Sequence, residues 1–291
     1  TLWIEGNGFV CTLSPDGSVV KQDPAKAPEL KPAPTGGRIR SSGSTRILSA
    51  SRYGSKSPDG RWVVAVSATE VTATSKDGEK VVYVSTGGPN TPALPPGFAW
   101  SGQPAWSPDG KHFALWATRS VPVRKYLVKN SVKQTEKEID YDKPGDDKTQ
   151  QLACVFSVSG GFRFPGSDVL ALTMNTDRLD WTADSARLRS TYTLRGFTGH
   201  GILDFDVSTR KWRKLLTEED PKFVYSFSTR YRFDLDEHRT LWLSERSGWL
   251  HLYSVDLKTG KRLDAVTGGQ WVMKEVLKVD EKAGTITLVA L

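Results

Sequence analysis

Ser57-Pro58-Asp59-Gly60 leads into Arg61-Trp62-Val63-Val64-Ala65-Val66, and Ser107-Pro108-Asp109-Gly110 leads into Lys111-His112-Phe113-Ala114-Leu115-Trp116. In such a turn Pro presets φ at the second position, Asp caps its own backbone and Gly accepts a positive φ. The Val, Trp and Phe that follow suit a pleated, buried surface. The unit recurs along the chain. A third Ser-Pro-Asp-Gly stands at Ser14–Gly17, and looser copies run from Trp181 to Leu188, Phe233 to His238 and Val279 to Gly284. The last two lead into Thr240-Leu241-Trp242-Leu243 and Thr285-Ile286-Thr287-Leu288. The turn aspartates are 16, 59, 109, 184, 236 and 280, in steps of 43, 50, 75, 52 and 44 residues.

A period of about 40–50 residues is that of a four-stranded propeller blade. The chain therefore reads as all-β, a β-propeller of four-stranded blades. About six to seven blades are present, as in an incomplete eight-bladed propeller. We expect one propeller domain over residues 1–291, with a loop at 28–45 where Pro28–Pro34 and Gly36-Gly37 cluster. The 75-residue step holds a polar segment, and residues 124–150 are expected to be an elaborated blade or an insertion. A second element repeats half a period later. Asp206-Val207-Ser208-Thr209-Arg210-Lys211 parallels Asp256-Leu257-Lys258-Thr259-Gly260-Lys261, and Cys154 to Gly161 is a looser copy. Each reads as a polar hairpin turn between alternating strands.

Composition narrows the function. Hydrophobic residues make up 37% of the 291, enough for a core, and ten Trp with eight Tyr and eleven Phe favour short twisted strands. The net charge of +7 is spread among carboxylates, so a solvated surface is expected and no nucleic-acid partner. No apolar run reaches the length of a membrane span and no signal peptide is visible. The chain starts at Thr1, which reads as a trimmed or mature piece. Cys11 and Cys154 form no metal spacing, and sequence leaves pairing and free thiols both open.

Catalytic chemistry has little footing. His112, His200, His238 and His251 occur in no HxH or HExxH spacing, so no metal is expected. A hydrolase nucleophile elbow needs Gly-x-Ser-x-Gly, and the chain has none; Ser157-Val158-Ser159-Gly160-Gly161 lacks the leading Gly. No phosphate loop or dinucleotide fingerprint is present, and no cofactor or catalytic residue is assigned. Glu136/Glu138 and Glu218/Glu219/Asp220 are of a type that could hold an ammonium group, but they read as solvated turns.

Several ordered segments resemble the N-terminal propeller of dipeptidyl peptidase IV-like serine peptidases, of the prolyl oligopeptidase clan. They are Pro104-Ala105-Trp106-Ser107-Pro108-Asp109-Gly110-Lys111, then Tyr141-Asp142-Lys143-Pro144-Gly145-Asp146, then Trp181 to Asp184 with Leu194-Arg195-Gly196. The strongest is Ser244-Glu245-Arg246-Ser247-Gly248-Trp249-Leu250-His251-Leu252-Tyr253 with Val266-Thr267-Gly268-Gly269-Gln270-Trp271-Val272. The resemblance implies a bacterial, periplasmic or secreted parent whose propeller precedes an α/β-hydrolase domain carrying the catalytic triad. The propeller of such a peptidase gates access for a peptide substrate and holds its amino terminus with acidic residues. Three departures follow. The catalytic domain is expected to be absent from these residues, and so is the closing blade, which would leave an edge prone to self-association unless Thr1 to Leu13 supply a strand. The Asp-Trp-x-x-Glu-Glu type motif expected before Trp106 is replaced by Gly97-Phe98-Ala99-Trp100-Ser101-Gly102-Gln103. A stand-alone propeller serving as a protein-interaction module is the alternative reading.

Overall fold

The computed structural model describes residues 2–4, 9–13, 19–22, 46–88, 91–141, 143, 145–166, 173–176, 178–224, 232–280 and 282–291. The first Ser-Pro-Asp-Gly, Ser14–Gly17, and the loop at 28–45 lie outside them. Among the described residues the architecture is strand after strand, broken by one short 3-10 turn, Arg195–Phe197. Among the described residues the strands pair antiparallel, and hairpins join most neighbours in sequence.

In chain order, β1 (Leu2–Ile4), β2 (Phe9–Leu13) and β3 (Val19–Gln22) form one sheet. β4 (Arg52–Tyr53) is followed by the three-stranded meander β5 (Trp62–Val66), β6 (Glu70–Ser75) and β7 (Lys80–Val84). β8 (Ala99–Trp106), β9 (His112–Arg119), β12 (Gln150–Ser157) and β13 (Phe162–Arg163) make a four-stranded meander, to which β4 adds a fifth strand beside β8. Between β9 and β12 the chain leaves for a separate hairpin, β10 (Lys125–Asn130) and β11 (Thr135–Asp140). Its residues are almost all exposed, and Lys125–Asp140 and Lys129–Glu136 ion pairs cross it. Next come β14 (Thr173–Thr176), the short β15 (Asp180–Trp181), β16 (Arg187–Leu194), β17 (Gly199–Asp206) and β18 (Lys211–Glu219), in the order β14-β16-β17-β18 with β15 also on β16. The regular meander β19 (Arg232–Asp234), β20 (Arg239–Ser244), β21 (His251–Asp256) and β22 (Arg262–Ala265) precedes the hairpin β23 (Met273–Asp280) and β24 (Thr285–Ala290).

The repeated turn explains this punctuation atom by atom. At Ser57 the hydroxyl donates to Asp59 Oδ1 at 2.6 Å and accepts from Trp62 N–H at 2.9 Å, while Asp59 Oδ1 also takes the Arg61 N–H. Ser107, Asp109, Lys111 and His112 repeat the set at 2.6, 3.0 and 3.0 Å. Thr182, Asp184, Ala186 and Arg187 repeat it again at 2.6, 2.9 and 3.0 Å. The last turn position needs a left-handed backbone, taken by Gly60 and Gly110 at φ 68° and by Ser185 at φ 60°.

Residues 50–196 and 202–214 form one compact unit; 1–49, 197–201 and 215–291 form another. In the first, β9 and β12 alternate between two apolar layers, so both faces of their sheet are covered. Phe113, Leu115, Cys154 and Phe156 join Trp62, Val71, Tyr83 and Trp100 on one face. Ala114, Ala153 and Val155 join Leu179, Trp181, Leu188 and Phe205 on the other. The high Trp content finds its place here. Trp106 and Trp181, each just before a turn, are fully buried and donate their indole N–H to the carbonyls of Gly54 and Ala105. In the second unit Leu241, Leu243, Leu252, Met273, Val276 and Leu288 form the core. β1 runs beside β24 there.

Candidate functional site

The most distinctive segments of the sequence meet each other around β21. His251 is buried, and its Nε2 faces the carbonyl of Gly269 at 3.0 Å while Nδ1 faces Thr267 Oγ1 at 3.1 Å. A carbonyl only accepts, so Nε2 carries the proton, and in the neutral ring Nδ1 accepts from the Thr267 hydroxyl. The same Thr267 oxygen accepts the Leu252 N–H at 2.9 Å, and the Trp271 ring meets the His251 ring edge-on at 4.7 Å. His-Leu-Tyr and Thr-Gly-Gly-Gln-Trp are therefore two halves of one structural lock.

Beside this lock, in the same unit, lies a cavity of about 430 Å³, within the range of small-ligand sites. The end of β18 supplies Thr217, Glu218 and Glu219, the end of β20 supplies Leu243 and Ser244, and β22 supplies Arg262. His200, stacked on Trp242 at 4.8 Å, lines it as well. Four carboxylates, those of Glu218, Glu219, Asp220 and Glu245, face two guanidiniums. Arg262 is ion-paired with Glu218 and donates to the Thr217 carbonyl at 2.9 Å. Arg246 lies over the Tyr253 ring at 5.5 Å. Asp220 accepts the N–H groups of Lys222 and Phe223, which hold its carboxyl below the usual range.

The acidic run at 218–220 was expected to be a solvated turn. Glu219 and Asp220 are exposed, and Asp220 caps the turn after β18, but Glu218 stands in β18 with a side chain only 14% exposed. The difference comes from Arg262, a partner 44 residues away that no local pattern announces. Glu136 and Glu138 are exposed on the β10–β11 hairpin. Cys154 is a free, buried thiol; the Cys11 side chain lies outside the described residues. Among the described residues no cluster of His, Cys, Asp and Glu could hold a metal ion, and no helix is long and apolar enough to cross a membrane.

Residues 98–290 match the family model of the dipeptidyl peptidase IV N-terminal region. The chain belongs to this family. The match takes in both halves of the His251 lock and the four repeated turns at Asp109, Asp184, Asp236 and Asp280. Among solved structures, the chain is similar to dipeptidyl peptidase 4 of Porphyromonas gingivalis, with 16% identity and a TM-score of 0.49, over 83% of this chain and 36% of that one. It is also similar to a protein from Bacteroides ovatus assigned as dipeptidyl aminopeptidase IV, with 14% identity and a TM-score of 0.43, over 79% of this chain and 41% of that one. The chain thus spans well under half the length of these structures. As a member of this family it is a β-propeller, and the four-stranded antiparallel meanders above are consistent with its blades.

The stretch Gly97 to Gln103, which stands where the resemblance anticipates an acidic motif, contains no carboxylate and runs into the first half of β8. The carboxylates that do gather about a cavity come from the ends of β18 and β20.

Proposed function

We propose that this chain is the non-catalytic propeller portion of a dipeptidyl peptidase IV-like serine peptidase. In this reading it gates the approach of peptide substrates and presents a docking face to an α/β-hydrolase domain. One observation carries it: the ordered family match over residues 98–290, on a chain with no Gly-x-Ser-x-Gly. The acidic cavity beside His251 supports a part in admitting substrates, because four carboxylates against two guanidiniums favour a cationic group.

The test compares two proteins on Gly-Pro-p-nitroanilide. The 291 residues alone should release no p-nitroaniline, and the protein read from the complete gene should release it. Activity of the 291 residues alone, or a gene that continues without a nucleophile elbow, would overturn the proposal and favour a stand-alone interaction module.

A further inference from the structure

A second cavity, of about 180 Å³, lies wholly within the unit formed by residues 50–196 and 202–214. His112 at the start of β9, Ser157 at the end of β12, Ser159 in the β12–β13 turn, Arg163 on β13 and Arg210 in the β17–β18 turn line it. Two guanidiniums, an imidazole and two hydroxyls converge there, and none of its described lining residues is acidic.

Three features set it apart from a solvated surface. Arg210 has no hydrogen bond or ion pair among the described residues, whereas Arg187, Arg189 and Arg213 of this unit are each paired with a carboxylate. Its guanidinium lies against Gly161, so closely that a Cβ there would stand 2.9 Å from Nη2. Second, Nδ1 of His112 is buried with no hydrogen-bond partner among the described residues. A buried polar atom without a partner costs about 1–3 kcal/mol, so an arriving group that bonds it is favoured. Third, Arg210 adopts φ 57°, a left-handed backbone that the parallel turn gives to Gly260 at φ 73°. Arginine at that position costs about 1–2 kcal/mol of backbone strain relative to glycine. The turn itself does not need it, since Asp206 caps the N–H groups of Ser208 and Thr209 as Asp256 caps those of Lys258 and Thr259. Burial, and then the neighbouring Arg210, also hold the Arg163 guanidinium below its usual pKa, as expected of like charges facing one space.

We propose that this cavity is a binding site for a small oxyanion of the phosphate type. Arg210 and Arg163, whose Nη1 also donates to the Phe162 carbonyl at 2.8 Å, supply the charge and N–H donors, and the Ser157 and Ser159 hydroxyls with His112 in its Nδ1–H tautomer complete the shell. Ser157 and Ser159 already share one hydrogen bond at 2.7 Å, which leaves one of the two hydroxyl protons for the anion. The site is distinct from the acidic cavity and prefers the opposite charge.

Isothermal titration of the 291-residue chain with inorganic phosphate, at fixed ionic strength and pH 7, tests this. Phosphoserine serves as a second probe and sodium chloride as the control. Saturable binding of phosphate assigns a free anion, and binding of phosphoserine alone assigns a monoester; either supports the site. Arg210→Gly should weaken binding at least about tenfold, the loss of one charge-assisted bond pair. It should also leave the unfolding midpoint unchanged or raised, because glycine relieves the left-handed backbone. Arg163→Gln and His112→Phe should weaken binding too. A response no larger than that of chloride, or full affinity in Arg210→Gly, would overturn the proposal.

Discussion

The backbone N–H of Asp109 donates to the hydroxyl of Ser185 at 3.0 Å, so the β8–β9 turn of one sheet is pinned to the β15–β16 turn of another. The same series continues backwards, because a Cβ on Gly110 would stand 3.3 Å from Asp59 Oδ1. Ser185 occupies the glycine place of the motif at φ 60° and is retained there with its hydroxyl engaged. Ser185→Ala removes the bond and keeps the strained backbone, and should cost about 1 kcal/mol. Ser185→Gly removes the bond but relaxes the backbone, so it should lie within about 0.5 kcal/mol of wild type. Urea unfolding of the three proteins checks the order, and Ser185→Gly less stable than Ser185→Ala would contradict it.

The turns also set an acid limit. Asp59 and Asp184 are held below the ordinary carboxylate range, first by the Ser57 and Thr182 hydroxyls and then by the N–H groups of Arg61 and Ala186. A carboxyl depressed in the folded state takes up its proton later than in the unfolded chain. Its contribution is therefore complete above the unfolded value near 4 and is lost as pH falls through the folded one. The melting temperature should be flat from pH 7 to about 5 and fall below about 4. In Asp59→Asn/Asp184→Asn the neutral-pH value should be lower and the acid decline shallower. Parallel pH profiles for the two proteins would refute the assignment.

In the C-terminal unit a buried ion pair does the joining. Arg232 holds Asp234 through Nε and Nη2, both at 2.9 Å, with the two side chains 3% and 1% exposed. Asp234 Oδ2 further accepts the N–H of Leu48, and Arg46 bridges to Phe233, so the pair fastens the segment before β4 to β19. Asp234→Ala leaves a guanidinium buried without its counter-charge and should cost about 3–5 kcal/mol. Arg232→Met/Asp234→Leu should recover much of that loss, since it removes both charges. Chemical denaturation of the single and double variants reads the coupling; strict additivity would show that the pair acts separately.

What was legible in the sequence is what local chemistry determines. Ser-Pro-Asp-Gly specifies each of its own hydrogen bonds, so its spacing marked the sheets, and even the copy at Trp181 to Leu188 could be found although Ser185 replaces Gly. The strand β4 could not be read. Arg52-Tyr53 is two residues long, and its pairing is decided by Ala105 and Trp106, about fifty residues on. The candidate site was half legible for the same reason. Glu218, Glu219 and Asp220 are visible as charges, but Arg262 and the strand ends that turn them toward a cavity are not. Arg210 is read as one more basic turn residue until Gly161 and His112 are seen beside it.

Cys154 provides a clean probe of the first unit. It is fully buried against Trp100, Ala117 and Phe156, and burial pushes its thiol up to about 12. In a Cys11→Ser background the native protein should therefore give no rapid reaction with Ellman's reagent at pH 8. One equivalent should react once the chain is unfolded in guanidinium. Because Cys154 sits on the face of β12 shared with Phe113, Phe156 and Trp62, Trp62→Ala should expose it. That substitution opens a cavity at a cost of about 3–5 kcal/mol, which raises the fraction of open molecules by about two to four orders of magnitude. Labelling of Cys11→Ser should thus accelerate strongly with Trp62→Ala. Fast labelling of the single variant, or an unchanged rate in the double one, would mean that the layer between β5–β7 and β8–β12 is not closed in solution.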